Sequence, residues 1–177
     1  KTNGFIDVVA EIETDEIEQD NKRFASLFIP DKISVGLFAE NMNDLTFVDL
    51  ALQTAGQEKY QIEKKSLNQF TSQQLNKYQT IIISANSIAS GIEQVKNFVQ
   101  NGGGVILFPS SNQDAVRLNQ LYSQLGLRIS SSFVGQVNST DLKIKFDKTD
   151  LNHPVFQNIF QNDDKKRYES PELNAYY

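Results

Sequence analysis

Apolar positions along the chain follow two different rhythms. In residues 5–12 (Phe-Ile-Asp-Val-Val-Ala-Glu-Ile) and 23–29 (Arg-Phe-Ala-Ser-Leu-Phe-Ile), β-branched and aromatic residues crowd together with few charges. That composition predicts two strands. Between them Glu13, Asp15, Glu16, Glu18, Asp20 and Asn21 make an acidic connection. It lacks the glycine and the distal glutamate of a calcium loop, so it reads as a solvated hairpin loop. Two strands alone are marginal in water. The pair is therefore expected either to end a β-sandwich with other strands outside this sequence or to pack on the next domain. Pro30-Asp31-Lys32 is the natural joint, because proline ends a strand.

From Ile33 the rhythm changes to short apolar strands alternating with helical segments, the pattern of a mostly parallel sheet covered on both faces. Strands are predicted at 33–38, 60–64 (an edge), 80–84 and 105–108, with a brief fifth at 127–129. A helix is predicted over 45–55, with Phe47, Leu50, Ala51 and Thr54 at helical spacing and Gly56 as a left-handed cap. Ser72 is expected to cap a short helix through Tyr78, and Ser90 the next, whose stripe is Ile92, Val95, Phe98 and Val99. The glycines at 102–104 stop that helix and allow close packing of helix on strand. Ala115, Leu118, Leu121, Tyr122 and Leu125 mark a further helix ended by Gly126. Beyond it, strands are expected at 142–146 and near 173–177, in a tail that wraps back on the sheet. The expected fold class is thus α/β, a flavodoxin-like three-layer sandwich with a mostly parallel sheet over 31–177, preceded by a short antiparallel β-strand pair in 1–30.

Charge and composition narrow the functional classes. The net charge of −5 repels phosphate backbones, and the basic clusters Lys64-Lys65 and Lys165-Lys166-Arg167 are too short to reverse this, so no nucleic-acid partner is expected. The chain has no cysteine, which removes disulfides, thiolate metal sites and thiol chemistry. No apolar run reaches the ~20 residues that span a bilayer. The first residue is Lys1 and no leader pattern follows, so the sequence is expected to be a segment of a longer protein.

In an open α/β sheet, ligands bind beyond the carboxyl ends of the strands, where strand order reverses. The residues expected there are Ala39, Glu40 and Asn41, then Ala85, Asn86 and Ser87, then Pro109, Ser110, Ser111 and Asn112. Of these, Glu40, Asn41, Asn86, Ser110, Ser111 and Asn112 are the ligand-binding candidates. A hydrolase would take Ser110 or Ser111 as nucleophile, His153 as base and Glu40 or Asp150 as orienter. The small residues that flank a nucleophile elbow are missing from Phe108-Pro109-Ser110-Ser111-Asn112. His153, the single histidine, stands before Pro154 in a short apolar turn and reads as structural. No carboxylate pattern suits a metal, and the glycine triplet lies before a strand instead of between a strand and its following helix, so neither a metal nor a phosphate-bearing cofactor is expected.

The run Phe98-Val99-Gln100-Asn101-Gly102-Gly103-Gly104-Val105-Ile106-Leu107-Phe108, within this order of elements, resembles the class I glutamine amidotransferase-like fold. Asp20-Asn21-Lys22-Arg23-Phe24, followed by a strand, a proline and this domain, resembles the C-terminal region of aerotolerance-type (Bat) membrane proteins. His153-Pro154-Val155-Phe156 is similar to a turn in such domains and in trehalose-utilisation (ThuA-like) relatives. Amidotransferases use a cysteine nucleophile, which this chain lacks, so the resemblance implies fold and context without the activity. It implies a periplasmic or otherwise extracytoplasmic domain of a membrane-anchored protein, with a cytoplasmic location as the alternative. The function expected is a non-catalytic domain that binds a small polar ligand or other envelope proteins, attached to the membrane through segments outside this chain. Two rivals stay open: a diverged hydrolase using Ser110 or Ser111 with His153, and a ThuA-like binder of a carbohydrate or similar polar molecule.

Overall fold

A parallel four-stranded sheet organises the domain: β3 (Ile33–Ala39), β4 (Tyr60–Ser66), β5 (Thr80–Ser84) and β6 (Gly104–Phe108), in the spatial order β4-β3-β5-β6. A separate antiparallel hairpin, β1 (Gly4–Glu11) with β2 (Lys22–Ile29), precedes it. The computed structural model describes residues 4–13, 21–56, 58–70, 75–88, 90–112, 114–135, 143–147, 149–156 and 169–177. Residues 14–20 of the acidic loop, the Ser72 cap and Leu142 fall outside them.

The two central strands carry continuous apolar runs, as strands covered on both faces require. Alternation sends their side chains to opposite cores. Phe38, Ile81 and Ile83 enter one cluster with Phe70, Tyr78, Val95, Phe98 and Leu121. Val35, Leu37, Ala39 and Ile82 enter the other with Leu45. The chain runs outward from β3 to β4 through α1 (Thr46–Thr54) and the opposite way from β5 to β6 through α2 (Ile92–Gln100). Crossovers of one hand travelling in opposite directions place their helices on opposite faces. Accordingly α1 packs Val48 and Leu52 on the second cluster while α2 buries Val95 and Phe98 in the first. Replacing a fully buried ring such as Phe38 by Ala removes about 3–5 kcal/mol.

Several boundaries follow capping chemistry. In α2, Gly102 takes φ +89°, the Gly102 N–H donates to Val99 O and the Gly103 N–H to Phe98 O, both at 2.9 Å. This is a Schellman end. Gly103 also lies so close under Phe98 that a Cβ there would come within 2.3 Å of the ring. The same pair of bonds closes α3 (Ala115–Gln124), from Gly126 to Ser123 and from Leu127 to Tyr122.

Four expectations are corrected. First, α1 spans the expected residues but turns a different face inward. Phe47 and Leu50 are exposed, and the core side is Leu45, Val48 and Leu52. Second, α2 begins at the Gly91 N-cap without a side-chain hydrogen bond, so Ser90 does not cap it. Third, residues 127–129 form no strand. The Asn119 side chain takes Ser131 in a double hydrogen bond, N–H to Oδ1 at 2.7 Å and Nδ2 to O at 2.8 Å, and draws the chain along α3. Fourth, the strand expected over 142–146 is, among the described residues, a single bridge from Ile144 to Leu173. The late strand expected near 173–177 is present as β8 (Ala175–Tyr176) and pairs with β7 (Val134–Gly135), a strand the pattern did not signal.

Candidate functional site

Between β3 and β5 the chain reverses its direction across the sheet, and the loops beyond their carboxyl ends converge there. After β3, Asn41 Oδ1 accepts the Asn43 N–H at 3.1 Å and starts a single 3-10 turn, Met42–Leu45. That turn delivers Asp44 over the ends of the neighbouring strands. Asp44 Oδ2 accepts the Ser111 N–H at 3.0 Å, and the Ser84 hydroxyl lies 3.4 Å from it. The same hydroxyl is 3.4 Å from Pro109 O, so one proton serves two acceptors.

Ser110 is held from three sides. Its N–H donates to Asn86 Oδ1 at 3.0 Å, its carbonyl accepts the Tyr177 hydroxyl at 3.4 Å, and its own Oγ accepts the Asn112 N–H at 3.5 Å. The residue is 1% exposed. Asn112 Nδ2 donates to Glu40 Oε2 at 2.8 Å. The loops after β3, β5 and β6 are thus tied into one polar network, with Tyr177 as an outer brace.

His153 is exposed in the turn that leads into a 3-10 segment, Pro154–Phe156, where its N–H donates to Asp150 O at 3.1 Å. Asp150 Oδ1 accepts the Asn152 N–H at 3.0 Å within that turn. Among the described residues, no hydrogen bond joins His153 to Ser110 or Ser111.

Beside the network opens a polar cleft of about 470 Å³. Glu40 reaches it from the end of β3, Asn68 from beyond β4, Ser87 and Ser90 from beyond β5, and Arg117 from the first turn of α3. Phe70 and Ile88, members of the first core cluster, form its apolar floor. Arg117 Nε pairs with Asp114 Oδ2 at 3.2 Å, which orients the guanidinium. Asp114 in turn caps α3 by accepting the Arg117 N–H at 3.0 Å.

Of the six candidates read from the sequence, the structure joins Glu40 with Asn112 and Asn86 with Ser110, ties Ser111 to Asp44, and leaves Asn41 as a local cap. Glu40 alone among them lines the cleft. Asp44, Asn68 and Arg117 were not anticipated. Asp44 sits in a polar Asn41-Met42-Asn43-Asp44 turn before a helix, and its position directly after a strand end was the available signal. Arg117 is indistinguishable by spacing from any solvated helical residue.

The described residues define an α/β domain of flavodoxin-like type. Comparison with protein-family models, with curated proteins and with solved structures finds no match. Among the described residues no helix is long and apolar enough to cross a membrane.

Proposed function

We propose that this chain is a non-catalytic binding domain whose switch-point cleft takes a small polar ligand bearing both a positive and a negative group. The observation that carries the reading is the presence of both Glu40 and Arg117 on the lining of one cleft that also includes Asn68, Ser87 and Ser90. An arginine fork recognises a carboxylate or phosphate bidentately, and a carboxylate holds an ammonium. A neutral sugar would offer neither side chain a counter-charge. Burial of the Ser110 hydroxyl, whose hydrogen-bonded neighbours include no base, supports the non-catalytic reading. The resemblance to amidotransferase-like domains of aerotolerance-type proteins supports placing this binder in a membrane-anchored protein of the cell envelope, where occupancy would be signalled to neighbouring proteins.

The test is thermal unfolding against a panel of zwitterionic amino acids, short peptides and neutral sugars. A ligand selective for the native state adds about 2.7 kcal/mol at a hundredfold excess over its Kd. A saturable upward shift with a zwitterion, lost in both Arg117→Met and Glu40→Gln, is expected. A shift with neutral sugars that survives both substitutions, or none with any compound, would sink the proposal.

A further inference from the structure

The two edges of the parallel sheet are built differently. The β4 edge carries Glu63, Lys64 and Lys65, the charged residues that keep an edge from pairing with another chain. A β4 edge meeting its own copy about Glu63 would set like charges against each other. The β6 edge, Gly-Val-Ile-Leu-Phe, carries no charge, no proline and no bulge.

Its hydrogen-bonding groups are arranged in pairs. The Gly104 N–H donates inward to Gln79 O and Phe108 O accepts inward from the Ala85 N–H, so alternation turns the N–H and C=O of Val105 and Leu107 outward. Among the described residues those four groups have no partner. The side chains flanking the edge are apolar on both faces. On the α2 side a groove of about 440 Å³ is lined mainly by Val95, Val99, Val105, Leu107, Leu125 and Leu127, with Lys96 and Gln100 of α2 also on its lining. On the other face Ile106 and Phe108 are 47% and 41% exposed. A strand added here meets mostly apolar side chains on both faces, which the apolar, uncharged β6 itself matches.

We infer that β6 is a self-association edge: two copies of this chain pair antiparallel through β6 about a two-fold axis at Ile106, joining two four-stranded sheets into one of eight. In this register Val105 of one copy exchanges both main-chain hydrogen bonds with Leu107 of the other, and the reverse, so all four outward groups are satisfied. The two Ile106 residues meet as the close, non-hydrogen-bonded pair, Cα atoms about 4.5 Å apart. Five residues of strand and one groove bury less than the ~1,200 Å² of a standard interface, which makes the dimer transient and concentration-dependent. The association is independent of the ligand cleft.

The absence of cysteine gives a clean test. The close pair lies within the separation a disulfide spans. Ile106→Cys is expected to cross-link under mild oxidation at least about tenfold faster than Val116→Cys, an exposed position away from the axis, because pairing raises the effective concentration of its thiol. Sedimentation from low-micromolar to near-millimolar protein should show a dimer for the native chain, monomers for Ile106→Lys and Ile106→Glu separately, and a dimer again on mixing the two. Circular dichroism checks that the charged variants are folded, and if they are not, the cross-linking rates decide. A native chain that stays monomeric throughout, as it would if β6 served another protein's strand, overturns the inference. So does a dimer formed through the β1–β2 hairpin, in which Ile106→Cys cross-links no faster than Val116→Cys.

Discussion

Asp44 Oδ2 accepts the main-chain N–H of Ser111 at 3.0 Å across 67 positions of sequence, and so clamps the loop after β6 to the loop after β3. Among the described residues no other side-chain hydrogen bond joins those two loops through the backbone of the serine pair. Asp44→Ala removes the acceptor of the exposed Ser111 N–H and leaves the Ser84 hydroxyl with Pro109 O alone. The expected loss is about 0.5–1.5 kcal/mol in urea unfolding. A change under ~0.5 kcal/mol would mean that water replaces the carboxylate without cost.

The nucleophile-like serine and its acceptor are expected to respond unequally. Ser110→Ala removes an oxygen that accepts one long bond and should cost less than about 1 kcal/mol, with ligand affinity at the cleft unchanged. Asn86→Ala deprives the buried Ser110 N–H of its only acceptor and should cost about 1–3 kcal/mol. Parallel denaturation curves read the contrast. Equal losses would remove the distinction between the two roles.

At the end of α2 two glycines serve different needs. Gly103→Ala drives a methyl into the Phe98 ring and should destabilise by about 1–3 kcal/mol. Gly102→Ala meets open space and bears only the left-handed backbone penalty, about 1–2 kcal/mol. Calorimetry on both variants should rank Gly103→Ala as the more harmful, with Phe98 as the reason. A Phe98→Leu background should shrink the cost at Gly103 and leave that at Gly102 alone.

Glu63 on β4 bonds to Lys77, accepts the Tyr78 hydroxyl at 2.7 Å and pairs with Lys65 at 3.0 Å. Led by Lys77, these donors hold its carboxyl down from 4.5 to about 2. A folded pKa below the unfolded one means the folded state favours the charged form, so the stabilisation is full above about 4.5 and fades as pH falls toward 2. Glu63→Gln should therefore be less stable than the native chain at neutral pH, lose less on acidification through that window, and converge with it near pH 2. Urea midpoints measured across the window check this. Parallel curves for the two proteins would refute it.

How much of this was written in the residue pattern depends on the kind of interaction. Runs such as Thr80-Ile-Ile-Ile-Ser84 announce a buried parallel strand because both faces must be apolar, and the sheet between Ile33 and Phe108 follows from three apolar runs and one polar edge strand, Tyr60–Ser66. The face of α1 did not follow, because Phe47 and Leu50 match the helical period as well as Val48 and Leu52 do, and only the position of β3 decides between them. The missing strand at 127–129 turned on Asn119, whose amide holds Ser131 twelve positions away. In the site, the strand ends place Glu40, Asn86 and Ser110 beside the switch point. Arg117 enters the cleft by the path of α3, a tertiary fact with no local signature.

The register of β3 sets an order of events in time. Its first neighbour, β4, pairs from Ile33 with Tyr60, but its second side waits for β5, from Val35 with Thr80. Until β5 has emerged from a ribosome, Phe38 and Leu37 sit on a half-built sheet with β4 on one side, an open edge on the other and no α2 above. Pairing between distant segments is slow relative to local helix formation. A nascent chain paused before Thr80 would thus present its most apolar strand to whatever chaperone or sister chain is nearest, and the speed with which residues 80–108 follow governs its escape from aggregation.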